Sequence, residues 1–279
     1  MIQDIAPKRL YNEYRKTQPK EGDALLFFDG EGKVLVKAEG ESLVFPKIPK
    51  AALREDTFVY LFSLDERHFF LSMDLPEDLP EGFTYQSICQ VRDLMGQNGS
   101  TADTFVVFTA YHLWKWYADN RFCGKCGAPM TLHEKERARA CPSCKHVVYP
   151  RINPAVIVGV KNGDSLLLTR YRTGYGHNAL VAGFTEIGET LEETVKREVM
   201  EEAGLKVKNI RYYKSQPWGM AQDILAGFYC EVDGDPTIHM DEGELKYAQW
   251  VKREDIELQP NNLSLTNEMM RRFKEGIEQ

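Results

Sequence analysis

The chain has 279 residues, 43% of them apolar and 28% charged, with a net charge of −7. That length holds two modest domains and a small module, each with a real core. The acidic balance, with an isoelectric point near 5.5, argues against nucleic-acid binding through the whole surface, and no apolar run approaches the roughly 18 residues of a membrane span. The opening MIQDIAPKRLYNEYRK lacks an apolar signal core and is acidic from the start, so a soluble, cytoplasmic protein is expected.

Residues 1–120 alternate short strand-like runs with turns: DALLFFDGEGKVLV over 23–36 and TFVYLFSLDERHFFLSM over 57–73. DGEG at 29–32 is a hairpin turn signal. Two helices are predicted next, Tyr85 to Met95 and Thr101 to Asn120. The second carries Phe105, Phe108, Leu113, Trp114 and Trp116, an aromatic stripe that reads as core or interface.

Four of the six cysteines form CGKC–x14–CPSC: Cys123, Cys126, Cys141 and Cys144. Two CxxC pairs at this separation point four thiolates at one zinc ion. A tetrahedron of sulfur leaves no place for water, so the site is expected to be structural. His133 and His146 lie nearby, but four cysteines suffice. Cys89 and Cys230 sit in helix-like and strand-like runs and read as small core residues.

After the ribbon come AVIVGV and SLLLTR, buried-strand runs joined by a KNGD turn. ALVAGFTEIG leads into a helix over 191–203. Thr190 and Glu193 make a capping box, Leu191, Val195 and Val199 form one buried stripe, and Gly204 is a stop. Glu198, Glu201 and Glu202 then fall on one face at i, i+3 and i+4. Three carboxylates so close repel one another unless a cation sits among them, and hard oxygen ligands favour Mg²⁺ or Mn²⁺. The bland reading of such a run is a solvated acidic face. An acidic site also repels phosphate, unless a divalent ion bridges the two and activates a water. Arg197 is expected to pair with Glu189 and fix the preceding loop. IRYYKSQPW and DILAGFYCEV read as further strands. ELKYAQWVKREDIE reads as a strand with a short helix, and SLTNEMMRRFKEGIE as a closing helix.

The stretch GFTEIGETLEETVKREVMEEAGL, Gly183 to Leu205, fits G-x5-E-x7-R-E-U-x-E-E-x-G-U, with U aliphatic. This resembles the signature of the Nudix hydrolases at every defined position. The four-cysteine ribbon, the following YPRINPAVIV, the AGF entry and SQPW at 215–218 resemble the NADH pyrophosphatase branch. The resemblance implies an α+β chain: a Nudix α/β/α sandwich catalytic domain over 149–279, a Cys₄ zinc ribbon over 121–148, and a smaller N-terminal α+β domain over 1–120. It implies hydrolysis of the diphosphate bond of NAD(H) to AMP and nicotinamide mononucleotide. Glu198, Glu201, Glu202 and Glu244, with the Ala182 carbonyl, resemble the family's metal ligands. Glu201 or Glu202 is the expected base. Phe184 and Tyr149 resemble a base-stacking pair, Tyr149 supplied by a partner subunit, which implies a homodimer. Arg92, Glu136, Gln216, Pro217, Trp218, Asp223 and Thr266 sit where the family contacts substrate.

One departure is clear. The family pattern SQPWPFPxS is here SQPWGMAQD, with Gly219, Met220, Ala221 and Asp223 in place of proline, phenylalanine, proline and serine. A looser loop and weaker preference for NADH are expected. Alternatives are ADP-ribose or another nucleotide diphosphate, and removal of NAD caps from RNA. A basic path of Lys115, Arg121, Lys125, Arg137, Arg139 and Lys145 would suit the last. A non-catalytic nucleotide sensor would be expected to lose the glutamates that are all present here.

Overall fold

The computed structural model describes residues 1–53, 58–76, 78–96, 99–173 and 176–278. Thr57, the first residue of the second strand-like run, lies outside them. The chain forms two compact units, Gln3–Arg151 with Gly219–Gln222, and Met1–Ile2 with Ile152–Trp218 and Asp223–Gln279. Among the described residues no helix is long and apolar enough to cross a membrane.

In the first unit, β1 (Leu10–Tyr11), β2 (Ala24–Leu26), β5 (Phe58–Leu64) and β6 (Arg67–Ser72) form a sheet ordered β1-β5-β6-β2. β3 (Val34–Glu39), β4 (Ser42–Val44) and β7 (Thr84–Gln86) form another, ordered β4-β3-β7. The DGEG turn closes on Asp29, whose carboxylate accepts from the Glu31 and Lys33 amides at 2.9 and 2.8 Å. Helix α1 (Ile88–Met95) starts at a Ser87–Gln90 capping box, so the first half-turn expected from Tyr85 is strand instead. Its buried stripe is Ile88, Val91 and Met95. Cys89 falls about 100° round the helix from Ile88 and is exposed, which corrects its reading as a core residue. Cys230 is buried as expected. Helix α2 (Thr101–Asp119) buries Phe108, Leu113 and Trp116, and Trp114 stacks on Phe28 at 5.1 Å. The ribbon is three short strands, β8 (Thr131–Leu132), β9 (Arg139–Ala140) and β10 (Val147–Val148), ordered β10-β9-β8.

The second unit is built on β11 (Asn153–Asn162), β12 (Ser165–Tyr171), β14 (Val207–Trp218), β15 (Asp223–Val232) and β16 (Leu245–Lys252), ordered β14-β15-β11-β12-β16. β13 (Val181–Phe184) pairs antiparallel with β11. β11 runs parallel to β15 and is apolar throughout its middle, because both its faces are covered. Val156, Val158 and Val160 point to helix α3 (Leu191–Ala203) with Val195, Val199 and Ala203. Ile157, one residue out of phase, points to helix α4 (Leu265–Lys274) with Leu265, Met269 and Phe273. Period-two alternation thus produces the two helix layers of an α/β/α sandwich. Each buried valine or leucine contributes ~1.5–3 kcal/mol relative to exposure. The KNGD turn joins β11 and β12, with Gly163 at φ 58°.

Candidate active site

Helix α3 opens where the sequence placed it. Thr190 Oγ1 accepts from the Glu193 amide at 3.2 Å, and Glu193 accepts from the Thr190 amide at 2.7 Å. Gly204 ends the helix at φ 67°, its amide donating to Met200 and Val199 carbonyls. Its substitution would strain the backbone and push a Cβ to 2.7 Å from His239.

Arg197 ties the loop to the helix. Its Nε and Nη2 donate to the two Glu189 oxygens at 2.6 and 2.9 Å, and Nη2 also donates to the Phe184 carbonyl at 2.9 Å. Nη1 donates to Glu198 at 2.7 Å and to Glu201 at 3.0 Å. This fork, with Glu186 N–H and Thr194 Oγ1 as further donors, pulls the Glu189 carboxyl down to about 2. The expected Arg197–Glu189 pair is therefore present, and the same guanidinium reaches two of the candidate carboxylates.

Glu202 is the buried member, only 2% exposed. Its Oε1 accepts from the Ala182 amide at 3.3 Å, while Oε2 is buried with no hydrogen-bond partner. Burial raises its carboxyl to about 8 against the Ala182 bond, and Glu244, Glu198 and Asp241 raise it further. Glu198 is also raised, first by burial and against Arg197, then by Glu201 and Glu244. Glu198, Glu202 and Glu244 therefore feel one another's charge, although Glu244 arrives from the exposed turn before β16. Glu201 stands at the rim, its side chain 58% exposed.

These groups fit a hard divalent cation. An orphaned, buried carboxylate oxygen lies among carboxylates that repel one another, which is costly without a positive partner. Gly183 leaves room for the arrangement: a Cβ there would stand 1.9–2.2 Å from the Glu198 carboxylate atoms.

Two neighbours escape a reading of the sequence. Tyr171, at the β-bulge of β12, has its phenol raised by burial and then by Glu202, Glu244 and Glu198. Asp241, whose amide donates to the Glu202 carbonyl at 3.1 Å, adds charge to the same group. Neither lies in a motif: Tyr171 ends the strand that pairs with β16, and Asp241 is held to the end of α3 by its backbone bond to Glu202.

The remaining residues fall into separate settings. Phe184 is 52% exposed at the end of β13. Pro217 is exposed and Trp218 half-buried at the end of β14. Gln216 is fully buried, with Nε2 donating to the Leu263 carbonyl at 2.8 Å and Oε1 accepting from the Leu265 amide at 2.7 Å. It braces the start of α4, where half-buried Thr266 sits. Asp223 is 5% exposed with Oδ1 buried and unpartnered, and burial pushes its carboxyl up to about 7. In the other unit, Tyr149 is 55% exposed and its hydroxyl donates to Glu136 at 2.9 Å, so these two candidates do meet. Arg92 lies on α1, half-buried, 3.3 Å from Asp93.

The loop after Trp218 departs from expectation. It is a four-residue connection that packs in the first unit. A Cβ on Gly219 would stand 2.0 Å from the Phe108 carbonyl oxygen, Gln222 N–H donates to the Gly219 carbonyl at 3.2 Å, and Arg151 donates to Gln222 at 3.2 Å. Glycine here serves close approach to α2, not looseness.

The four ribbon cysteines gather as read. Their sulfurs all lie within 4.8 Å of one another, with Cys123–Cys144 at 3.6 Å and Cys126–Cys141 at 3.5 Å. Bonds of about 2.3 Å to a central zinc need sulfurs about 3.8 Å apart, so the cluster fits tetrahedral zinc. His133 Nδ1 instead accepts from the Lys135 and Glu136 amides.

Residues 151–273 match the NUDIX domain, and residues 118–149 match the NADH pyrophosphatase zinc ribbon domain. Residues 151–273, somewhat under half of the chain, thus form a Nudix domain. The chain also carries, over residues 118–149, a match to the zinc ribbon of the NADH pyrophosphatases. It is 44% identical over 147 residues to a protein of Salmonella heidelberg (strain SL476) named NAD-capped RNA hydrolase NudC, covering 52% of this chain and 57% of that protein. The same name belongs to a Citrobacter koseri relative, 44% identical over 149 residues, with 52% and 57% covered. The chain thus matches little more than half the length of these relatives. A crystal structure of a NUDIX hydrolase from Nitrosomonas europaea is 22% identical, covering 56% of this chain and 90% of that one, with a TM-score of 0.49.

Proposed function

We propose that this protein hydrolyses the diphosphate bond of NAD(H), giving AMP and nicotinamide mononucleotide. The observation that carries the reading is the buried Glu202, with one oxygen on the Ala182 amide and the other unpartnered among Glu198 and Glu244. Glu198, Glu201, Glu202, Glu244 and the Ala182 carbonyl would hold Mg²⁺ or Mn²⁺. Such an ion, when bound, offsets the repulsion between carboxylates and diphosphate and lowers the pKa of the attacking water. The chain's own residues do the rest. Arg197 holds the loop through Glu189 and Phe184. Of Glu201 and Glu202, the one whose oxygen does not hold the ion serves as proton acceptor. The exposed ring of Phe184 offers a stacking face for a base. Gln216, through its bonds to Leu263 and Leu265, sets the turn that presents Thr266, and Pro217, Trp218 and Asp223 border the substrate. Tyr149, with Glu136, is the stacking residue lent by the partner of a homodimer, and Arg92 completes the substrate contacts.

The domain limits 1–120, 121–148 and 149–279, with zinc in the ribbon and a cytoplasmic setting, belong to this reading. The naming of the Salmonella and Citrobacter relatives favours a second substrate, NAD-capped RNA, attacked at the same bond. The deciding experiment incubates the protein with NADH, NAD⁺, ADP-ribose and NAD-capped RNA, with Mg²⁺ or Mn²⁺, and weighs the products. AMP and nicotinamide mononucleotide from NADH are expected. Cleavage of ADP-ribose alone would overturn the substrate. Activity from a light-scattering monomer would overturn the shared site.

A further inference from the structure

Two arginines of the first unit lack acidic partners among the described residues. Arg139 on β9 is only 9% exposed. Its Nη1 donates to the Met130 carbonyl at 3.1 Å and its guanidinium lies 5.6 Å from the Tyr117 ring centre, but Nε is buried with no hydrogen-bond partner. Two residues earlier, Arg137 donates through Nη2 to the Asn12 and Leu61 carbonyls at 3.0 and 2.6 Å and lies over the Tyr14 ring, while its buried Nη1 has no partner. Among the described residues, the groups that act on the two charges are Tyr117, Tyr14, Tyr60 and Arg121, none of them a carboxylate. Buried guanidinium without an anion is costly, and its planar fork matches phosphate.

Beside Arg139 opens a cavity of about 530 Å³, walled by Tyr14, Arg15, Lys16, Phe58 and Tyr60. That size suits one small ligand. Among its described lining residues Glu134 is the one carboxylate, against the cations Arg15, Lys16 and Arg139. Arg15 faces Glu13 at 4.0 Å with both side chains more than 60% exposed, a pair too screened to neutralise it. Cations with aromatic rings along one groove are the ingredients of nucleotide recognition without base-specific contacts.

We propose that this cavity binds a nucleotide, its phosphate on Arg139, Arg15 and Lys16 and its base against the half-buried rings of Tyr14 and Phe58. The site stands on the first unit alone and does not depend on the hydrolytic reading. Its chemistry suits either a free mononucleotide or one nucleotide of a single strand.

The test measures binding of AMP and of an uncapped, labelled single-stranded octaribonucleotide to the full zinc-loaded chain. No divalent ion is added, so the acidic face of α3 has no attraction for phosphate. The variants are the exposed pair Arg15→Glu with Lys16→Glu, and Arg139→Lys, which keeps charge but loses the fork. A control reverses Lys8 and Lys47, which are exposed and do not line the cavity. Both test variants should bind at least about tenfold more weakly, with the control unchanged and NADH turnover as in wild type. For the oligonucleotide, the slope of log affinity against log salt should shrink by about 0.7 for each phosphate that is no longer neutralised. Tighter binding of the oligonucleotide than of AMP assigns the site to a strand, and equal binding to a free nucleotide. Absence of saturable binding by either probe overturns the proposal. So does an equal loss in the control, or undiminished binding in a natively melting Arg15/Lys16 variant. Should Arg139→Lys fail to fold, the exposed pair decides alone.

Discussion

Gly183 and Glu198 occupy mutually exclusive space. The Glu198 carboxylate fills the position that any side chain on residue 183 would need, 1.9–2.2 Å from where its Cβ would stand. Glu198 is the flexible partner, so Gly183→Ala should move the carboxylate rather than break the fold. Thermal stability should stay within ~1 kcal/mol of wild type. Turnover should fall on the order of a hundredfold, since small displacements of reacting groups cost that much. Steady-state kinetics on NADH beside a melting curve reads both. Near-normal turnover would remove Glu198 from the site.

Glu189 is held ionised by Arg197, which sets a pH signature. Its folded carboxyl lies at about 2, below the ordinary 4.5. The stabilisation is therefore present above the unfolded value and is lost as pH falls from 4.5 toward 2. Glu189→Gln should melt below wild type at pH 7, with the gap closing across that window. Activity should drop as well, because Arg197 then loses the anchor that fixes the loop to α3. A gap independent of pH would mean that packing, not the ion pair, holds the loop.

The ribbon cysteines should hold about one zinc per chain. Cys123→Ser or Cys141→Ser should lower metal content and melting temperature while leaving turnover per folded molecule close to normal, because four sulfurs leave no open position. Elemental analysis with calorimetry checks this. A zinc-free protein of unchanged stability would refute the structural role.

What is legible in the sequence is what local rules govern. The capping box at Thr190, the stop at Gly204, the paired CxxC turns and the KNGD hairpin depend on neighbours in the chain. The continuous apolar run of β11 follows from burial on both faces. Tyr171 and Asp241 are invisible there, because tertiary contacts more than 30 residues apart in the chain bring them to Glu202. Cys89 misleads because a one-residue phase error turns a helix position outward. Gly219 misleads because a glycine beside a missing proline suggests freedom, while the Phe108 carbonyl that requires it lies more than 100 residues away.

That close approach changes how the loop should be tested. Gly219→Pro or Gly219→Ala would drive a carbon to about 2.0 Å from the Phe108 carbonyl, a backbone atom that cannot step aside cheaply. Gly219→Ala should cost ~1–3 kcal/mol of stability, as overpacking does. Met220→Phe with Ala221→Pro, which spares the glycine, is the better probe of substrate choice. Its ratio of kcat/KM for NADH over ADP-ribose should rise. An unchanged ratio in a folded variant would show that these positions do not select the substrate.

Asp223 supplies the remaining prediction, because burial and not a charge partner governs it. Its carboxyl is pushed from 3.8 up to about 7, and Oδ1 has no hydrogen-bond partner. The folded chain thus holds a proton that the unfolded chain releases near 3.8. The contribution to stability is full below that value and is lost as pH rises through about 7, by up to ~4 kcal/mol at 1.36 kcal/mol per unit. Asp223→Asn cannot ionise, so its melting temperature relative to wild type should climb between about pH 4 and pH 8. The change with pH is the readout, since the buried amide brings its own constant cost. If Asp223 also borders substrate, wild-type KM for NADH should rise over the same interval as the carboxylate forms, and Asp223→Ser should flatten that rise. A melting difference that stays level across that interval would show that Asp223 is ionised and solvated in the folded protein.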